Sequence, residues 1–247
     1  MSGFFITGTD TDVGKTIITG LLTAALNEKG IRTIPYKPVQ SGAIYREKQL
    51  IAPDVDMYEK INNENWPHSA TYLLKAPVSP HLAAIWDQVI IEKKQICEDY
   101  RKLNKENQCV LVEGAGGVAV PLIDEFYCVS HLMQELQLPV IIVAKAGLGT
   151  INHTTLTVQY IQQLELPITG IIMNGFQDSE KLAQQENVKM IEKMTDIPVI
   201  GKLPFVEDLE HRLNDKTFIL RLIEQINIDY LIEKWKEHFC ERINKMD

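Results

Sequence analysis

Two apolar runs in this chain each break into a glycine-rich stretch, one carrying a lysine and the other a carboxylate. Phe4-Phe5-Ile6 leads into Gly8-Thr9-Asp10-Thr11-Asp12-Val13-Gly14-Lys15-Thr16, and Val110-Leu111-Val112 leads into Glu113-Gly114-Ala115-Gly116-Gly117. A strand followed by a glycine loop and a helix start is a unit of α/β sheets. Two such junctions about a hundred residues apart confine the chain to very few architectures.

The first junction has the chemistry of a phosphate cradle. A loop that opens a helix points backbone N–H groups at an anion. Lys15 is placed to reach the β- and γ-phosphates of a nucleotide, and the Thr16 hydroxyl to bind Mg²⁺. The spacing departs from the usual loop, because the glycine expected at position 9 stands one residue early, at Gly8. Glu113 is placed like the acid that ends the second strand of nucleotide-binding sheets. Mg²⁺ favours carboxylate, hydroxyl, water and phosphate oxygens, which links the two junctions. The plainer reading of Glu113 is an exposed acid in a glycine turn.

Short apolar runs recur at 3–7, 33–36, 109–112, 139–144, 168–173 and 197–200. They are continuous rather than alternating, as in parallel strands covered on both faces. Helical patterns lie between them at 15–28, 88–106, 128–137, 152–164 and 179–194. The alternation predicts one domain over residues 1–247, α/β, doubly wound and mostly parallel. Residues 42–87 hold Pro53, Pro67, Pro77 and Pro80 and read as an irregular excursion over the sheet edge. Lys15, Lys37, Glu113, Asn174 and Pro204 all fall at or after the carboxyl ends of predicted strands, where open parallel sheets bind ligands.

Net charge is -8 over 247 residues, with 45% hydrophobic residues. That balance argues against nucleic acid, which needs a basic footprint. No apolar run is long enough to span a membrane, and no secretory leader is evident, so a cytoplasmic location is expected. Cys97, Cys109, Cys128 and Cys240 include no C-x-x-C pair and read as reduced and mostly buried, with Cys109 in or beside the 110–112 strand.

Further candidates follow from local context. Lys37 precedes Pro38, which holds it extended and aims it over the sheet edge toward Lys15. Two cations there would stabilise a transferring phosphoryl group. Asp54 and Asp56 are both open as metal ligands, with Asp54 preferred. His81, after the rigid Ser79-Pro80 turn, reads as structural. Leu148-Gly149-Thr150-Ile151-Asn152-His153 reads as a loop entering a helix, with Thr150 or Asn152 as cap and free N–H groups for a carboxylate. Residues 229–247 are amphipathic, with Leu231, Trp235, Phe239 and Ile243 on one face and nearly balanced charge. That suits packing on the domain or a partner subunit better than a membrane surface.

Taken in order, these stretches resemble the dethiobiotin synthase family over most of the first 205 residues. The likeness rests on Thr7 to Thr16, Tyr36-Lys37-Pro38-Val39, Ser41-Gly42, Ser79-Pro80-His81, Val112 to Gly117, Leu138-Pro139-Val140 and Leu148 to His153, and the early Gly8 is the family's own form of the loop. The resemblance implies a P-loop fold and an ATP-dependent cyclo-ligase that joins CO2 to 7,8-diaminononanoate, through a carbamate and a carbamic–phosphoric anhydride. It implies that Asp12, Val13, Gly14, Lys15, Thr16 and Ile17 wrap the phosphates, and that Thr16, Asp54 and Glu113 hold Mg²⁺. Lys37 would be the active-site lysine, with Ser41 on the substrate and Thr11 beside both. Gly114, Ala115 and Gly116 would form the site wall, Asn174 and Gly175 would meet the adenine edge, and the loop from Pro204 would cover the base. Gly149, Thr150, Ile151 and Asn152 would take the substrate carboxylate across a homodimer interface. The chain lacks, near Asn187, a tyrosine that some relatives use at that carboxylate, and the segment after Phe205 matches no stretch of the family that can be placed.

Two other classes share parts of this pattern. A regulatory ATPase of the partition or septum-placement type would carry a lysine five residues before Lys15, where this chain has Asp10. An amidotransferase-type ligase acting on a large corrinoid would need a glutaminase domain and more chain.

Overall fold

A computed structural model describes residues 2–244, with side chains from Ser2 to Cys240. In chain order the elements begin with β1 (Gly3–Gly8), α1 (Lys15–Glu28), β2 (Thr33–Ser41), β3 (Ile44–Arg46), β4 (Gln49–Ile51), α2 (Pro53–Asn62), β5 (Ala70–Leu74) and α3 (Pro80–Asp87). They continue with α4 (Lys93–Glu106), β6 (Cys109–Gly117), α5 (Val129–Leu136), β7 (Val140–Lys145), α6 (Thr150–Gln163) and β8 (Ile168–Phe176). A 3₁₀ turn then precedes α7 (Lys181–Thr195), β9 (Val199–Pro204), α8 (Leu209–Arg212), α9 (Lys216–Ile223) and α10 (Ile228–Asn244).

Seven strands form one sheet in the order β5-β2-β6-β1-β7-β8-β9, with every neighbouring pair parallel. Alternate residues face opposite layers. Phe5, Val110, Val112, Val140 and Ile142 pack with Ile96, Tyr100, Leu132, Met133 and Ile161. Phe4, Ile6, Leu111, Ile141 and Val143 pack with Ile18, Leu21 and Leu22 of α1, Phe218 and Leu222 of α9, and Leu231 of α10. Each such aliphatic or aromatic side chain contributes about 1.5–3 kcal/mol when fully buried. The continuous apolar runs are thus strands covered on both faces. The strand order reverses at β1, so the crevice at its carboxyl end is the place such sheets bind ligands.

Helices α1 and α2 lie unusually close. A methyl at Gly20 would sit 2.5 Å from Ile61 Cδ1. Asn62 Nδ2 donates to Gly20 O at 3.2 Å and to Tyr58 O at 2.8 Å. The absent side chain at position 20 lets α2 settle against the helix that follows the phosphate loop.

The excursion expected over 42–87 is instead ordered. Pro53 and Pro80 occupy first turns, where a missing N–H costs nothing, and begin α2 and α3 rather than breaking them. Residues 70–74 add a seventh, edge strand on β2. The helix expected over 88–106 starts later, at Lys93: Gln88 is the left-handed cap of α3, and residues 89–92 connect it to α4. Several strands outrun their apolar cores. Lys37 lies inside β2, Glu113 and its glycines inside β6, Asn174 and Gly175 inside β8, and Pro204 ends β9. The glycines expected as a turn behind Glu113 thus belong to β6, with a left-handed Gly116 at φ 67° and a register shift against β1.

Trp235 Nε1 reaches Ser2 Oγ at 2.8 Å and fastens α10 to the start of β1. Phe239 is 41% exposed, so the expected apolar face is only partly covered, and the side chain of Ile243 lies outside the described residues. The four cysteines are free; Cys97 and Cys109 are buried, Cys128 is partly so, and Cys240 is exposed. Burial pushes the Cys109 thiol up to about 12, which keeps it inert.

Candidate active site

The phosphate loop closes on itself behind β1. Gly14 has φ 99° and precedes the first residue of α1; a methyl there would lie 2.2 Å from Asn174 Nδ2. That amide donates to Val13 O at 3.0 Å, tying the loop to β8. Gly8 serves the same compactness, since a methyl there would press on Asp10 O and Val13 Cγ2. Lys15 is buried, and its Nζ donates to Asp10 O at 2.9 Å. Burial pushes its pKa down, against the pull of Glu113 and with the push of Lys37. Val13 is buried, Ile17 is half-buried against α1's apolar layer, and Asp12 is exposed at φ 55°.

Beside the loop, four side chains from four elements meet. Lys37 Nζ lies 2.6 Å from Asp54 Oδ2 and 2.7 Å from Glu113 Oε1, with Gly114 O at 3.4 Å. Thr16 Oγ1 donates to the same Glu113 Oε1 at 3.0 Å. Lys37 and Glu113 side chains are 6% and 1% exposed. Burial alone would lower the Lys37 pKa, but Asp54 and Glu113 outweigh it and hold the ammonium well above the usual lysine range. Two carboxylates against Lys37 and Lys15 leave the pocket close to neutral.

Helical geometry sends Asp54 and Asp56 to different partners. Both lie in the first turn of α2, where acids are favoured by the helix dipole. Asp54 turns to Lys37. Asp56 turns away and pairs with Arg46 at 2.8 and 3.1 Å and with Lys60 at 3.0 Å. Those bonds hold the β3–β4 hairpin over α2. The Asp54 N–H donates to Gln40 Oε1 at 3.2 Å, fixing the helix start to the end of β2.

Tyr58, which the sequence did not single out, donates to Glu113 Oε2 at 2.5 Å. Its signal is the i, i+4 spacing from Asp54, legible only once α2 is recognised as a helix. The remaining candidates are more loosely gathered. Ser41 ends β2 with its Oγ buried and lacking a hydrogen-bond partner, and His81 Nδ1 is in the same condition. Thr11 is exposed beside the β6 glycines; a methyl at Gly116 would lie 3.5 Å from its Oγ1. Phe205 N donates to Phe176 O at 2.7 Å, just past Pro204. Those residues border a cleft of about 820 Å³ with Lys181, Lys202 and Gln225. The 149–152 segment is local in its bonding. The cap of α6 is Gly149 at φ 88°, with no side-chain cap, so neither Thr150 nor Asn152 fills the expected role. Thr150 faces Thr154 at 3.4 Å, Ile151 is half-buried, and Asn152 is exposed.

Among the described residues no group of three or more His, Cys, Asp or Glu side chains is placed to hold a metal. The donor set here is instead two carboxylates and a hydroxyl, which suits a hard ion that takes its other ligands from phosphate and water.

What the sheet and its loaded edge define is a P-loop NTPase-like protein. Solved structures share the architecture. The MinD cell division protein of Aquifex aeolicus matches with a TM-score of 0.61 at 13% identity, over 94% of this chain and 98% of that one. Cobyrinic acid a,c-diamide synthase from Mycobacterium smegmatis matches at 0.59 and 14%, over 96% of each chain. At such identities the likeness concerns the fold alone. Sequence relatives go further. A family described as AAA domain matches residues 2–212. The ATP-dependent dethiobiotin synthetase of Anoxybacillus flavithermus is 52% identical over 212 residues, 86% of this chain and 96% of that protein. Its counterpart in Bacillus subtilis is 36% identical over 235 residues, 92% of this chain and 100% of that protein. The chain belongs to the ATP-dependent dethiobiotin synthetase family.

Proposed function

We propose that the protein carboxylates 7,8-diaminononanoate with CO2 and closes it to dethiobiotin at the expense of ATP, in the cytoplasm. One amine takes up CO2 as a carbamate and loses a proton. A carbamate oxygen takes the γ-phosphoryl group, and ADP leaves. The second amine attacks the carbonyl carbon and gives up a proton, phosphate departs with the anhydride oxygen, and the cyclic urea is complete. The substrate supplies its own nucleophile, so the protein's task is to hold two mutually repelling anions in contact. The observation that carries this reading is the meeting of Lys37, Asp54, Glu113 and Thr16 beside the Lys15 loop, in a chain of this family.

The residues divide the work by position. The N–H groups from Asp12 to Ile17 wrap the phosphates and Lys15 offsets their charge. Lys37 faces the carbamate and the transferring group. Thr16, Asp54 and Glu113 would hold Mg²⁺; the two carboxylates already hold one cation, the Lys37 ammonium, and the Thr16 hydroxyl meets Glu113 Oε1 beside it, a donor set that fits a hard divalent ion. Such an ion supplies charge neutralisation at the phosphates. Thr11 with Gly114, Ala115 and Gly116 forms the wall against the diamine, and the unpartnered Ser41 hydroxyl is available to it. Asn174, Gly175 and Pro204 border the base.

The test is ADP release in a coupled assay. ADP should form only when the diamine, bicarbonate and Mg²⁺ are all present. Equal hydrolysis without the diamine would favour the partition-type switch instead.

We further propose a homodimer in which Gly149 to Asn152 of one protomer meet the substrate carboxylate of the other. Leu148 is fully exposed and Leu156 is 56% exposed on either side of that segment, an apolar edge that pairing would cover. Sedimentation velocity should show a dimer, and the double variant Leu148→Asp/Leu156→Asp a folded monomer. A monomeric wild type at assay concentration would remove this segment from the substrate site.

A further inference from the structure

Glu113 has two carboxylate oxygens, and both are engaged. Oε1 accepts from Lys37 Nζ and Thr16 Oγ1; Oε2 accepts from the Tyr58 hydroxyl at 2.5 Å. The terminal torsion of a glutamate is broad and nearly free. Lys37 and Thr16 hold one oxygen and leave the carboxylate plane free to tilt about it; Tyr58, on the other oxygen, fixes that plane.

Tyr58 is well placed to do so. Its residue is fully buried, in a cluster with Ala52 and Val55 that Trp66, Ala70 and Leu73 cover. Its carbonyl accepts from Asn62 Nδ2, which also holds Gly20 O of α1. The phenol is therefore fixed to the helix behind the phosphate loop. Asp54 lies one turn earlier on the same helix face. Helix α2 thus delivers one carboxylate to the site and, four residues on, the hydroxyl that orients the other.

We propose that Tyr58 is a positioning residue for the divalent-cation site, its hydroxyl holding Glu113 Oε2 so that Oε1 is presented beside Thr16. The inference rests on the reading of Thr16, Asp54 and Glu113 as the cation's donors. Hydrogen bonds to ligating carboxylates are worth about 10–100-fold in metal affinity.

The probe is Mn²⁺, followed by electron paramagnetic resonance of the free ion in the presence of ADP. Tyr58→Phe keeps the ring and removes only the hydroxyl. It should weaken Mn²⁺ binding about tenfold. The Mg²⁺ concentration for half-maximal turnover should rise by a similar factor, more than kcat falls. ADP affinity without metal should stay put. Tyr58→Leu should lose at least as much Mn²⁺ affinity. Wild-type Mn²⁺ affinity in Tyr58→Phe, with loss only in Tyr58→Leu, would assign the residue to packing and overturn the inference. Equal weakening of metal-free ADP binding would overturn it too. Glu113→Ala separates the two claims. If that variant binds Mn²⁺ like wild type, the donor reading itself fails. If it loses the ion while Tyr58→Phe does not, only the role of Tyr58 fails.

Discussion

Lys37→Ala is expected to lower turnover by about 10²–10³-fold, the usual loss when one cation or donor facing developing charge is removed. It is also expected to leave a folded but less stable protein. The ammonium is almost fully buried between Asp54 and Glu113. Removing it leaves two carboxylates facing each other, and breaking a buried pair costs about 3–5 kcal/mol. Its pKa is raised on folding from the 10.5 of a free lysine, so its stabilisation is fully present below about pH 10.5 and is lost as pH rises through the folded value. The stability gap between wild type and variant should therefore be flat from pH 7 to about 10 and narrow only above that. Steady-state ADP release and thermal unfolding across pH measure both parts. Turnover within threefold of wild type would remove Lys37 from the chemistry.

Glu113→Ala should be the more damaging change. Three donors lose their acceptor at once: the Lys37 ammonium, the Thr16 hydroxyl and the Tyr58 phenol. A buried lysine short of one partner and a phenol with none give a loss of about 3–5 kcal/mol. For a chain of this size that is a fall in Tm of roughly 10 °C. Turnover should fall at least as far as in Lys37→Ala, because a cation donor and the lysine's anchor go together. Glu113→Gln, which keeps the volume, should unfold at an intermediate temperature. A variant melting within a degree of wild type with half its activity would show that the cluster has no structural or chemical weight.

The sequence disclosed the parts of this fold whose burial is complete. Strands β1, β6, β7 and β8 announce themselves because sheets covered on both faces leave no room for a polar position. Their carboxyl ends were misjudged for the converse reason. Where a strand runs out into the ligand cleft its residues turn polar or glycine, so the apolar pattern stops at Tyr36, Val112 or Met173 while the backbone stays extended through Lys37, Glu113 or Asn174. Strand β5 escaped notice as an edge strand of only partial burial behind Pro67. Pro53 and Pro80 read as breakers because proline carries the same letter at a helix start as at a helix end; the acids after Pro53 are the mark of a start. Within the site, Gly14, Lys15, Thr16 and Glu113 were legible from short-range spacing. Tyr58 was not, since its partner lies 55 positions along the chain and meets it only after α2 has formed. Asp54 and Asp56, two apart, point to different sides of a helix turn, a distinction invisible in a segment read as loop.

The way α2 is seated also dictates where this part of the chain can grow. One residue added between Asp54 and Tyr58 would rotate everything beyond it by about 100° around the helix axis. Such an insertion would swing the phenol away from its carboxylate while leaving Asp54 in place. The hairpin tip is under no such pitch constraint: Glu47 and Lys48 are exposed and already left-handed, at φ 50° and 69°. Extra residues, or a grafted tag, belong at that tip, whereas the helix a few positions later is fixed in length.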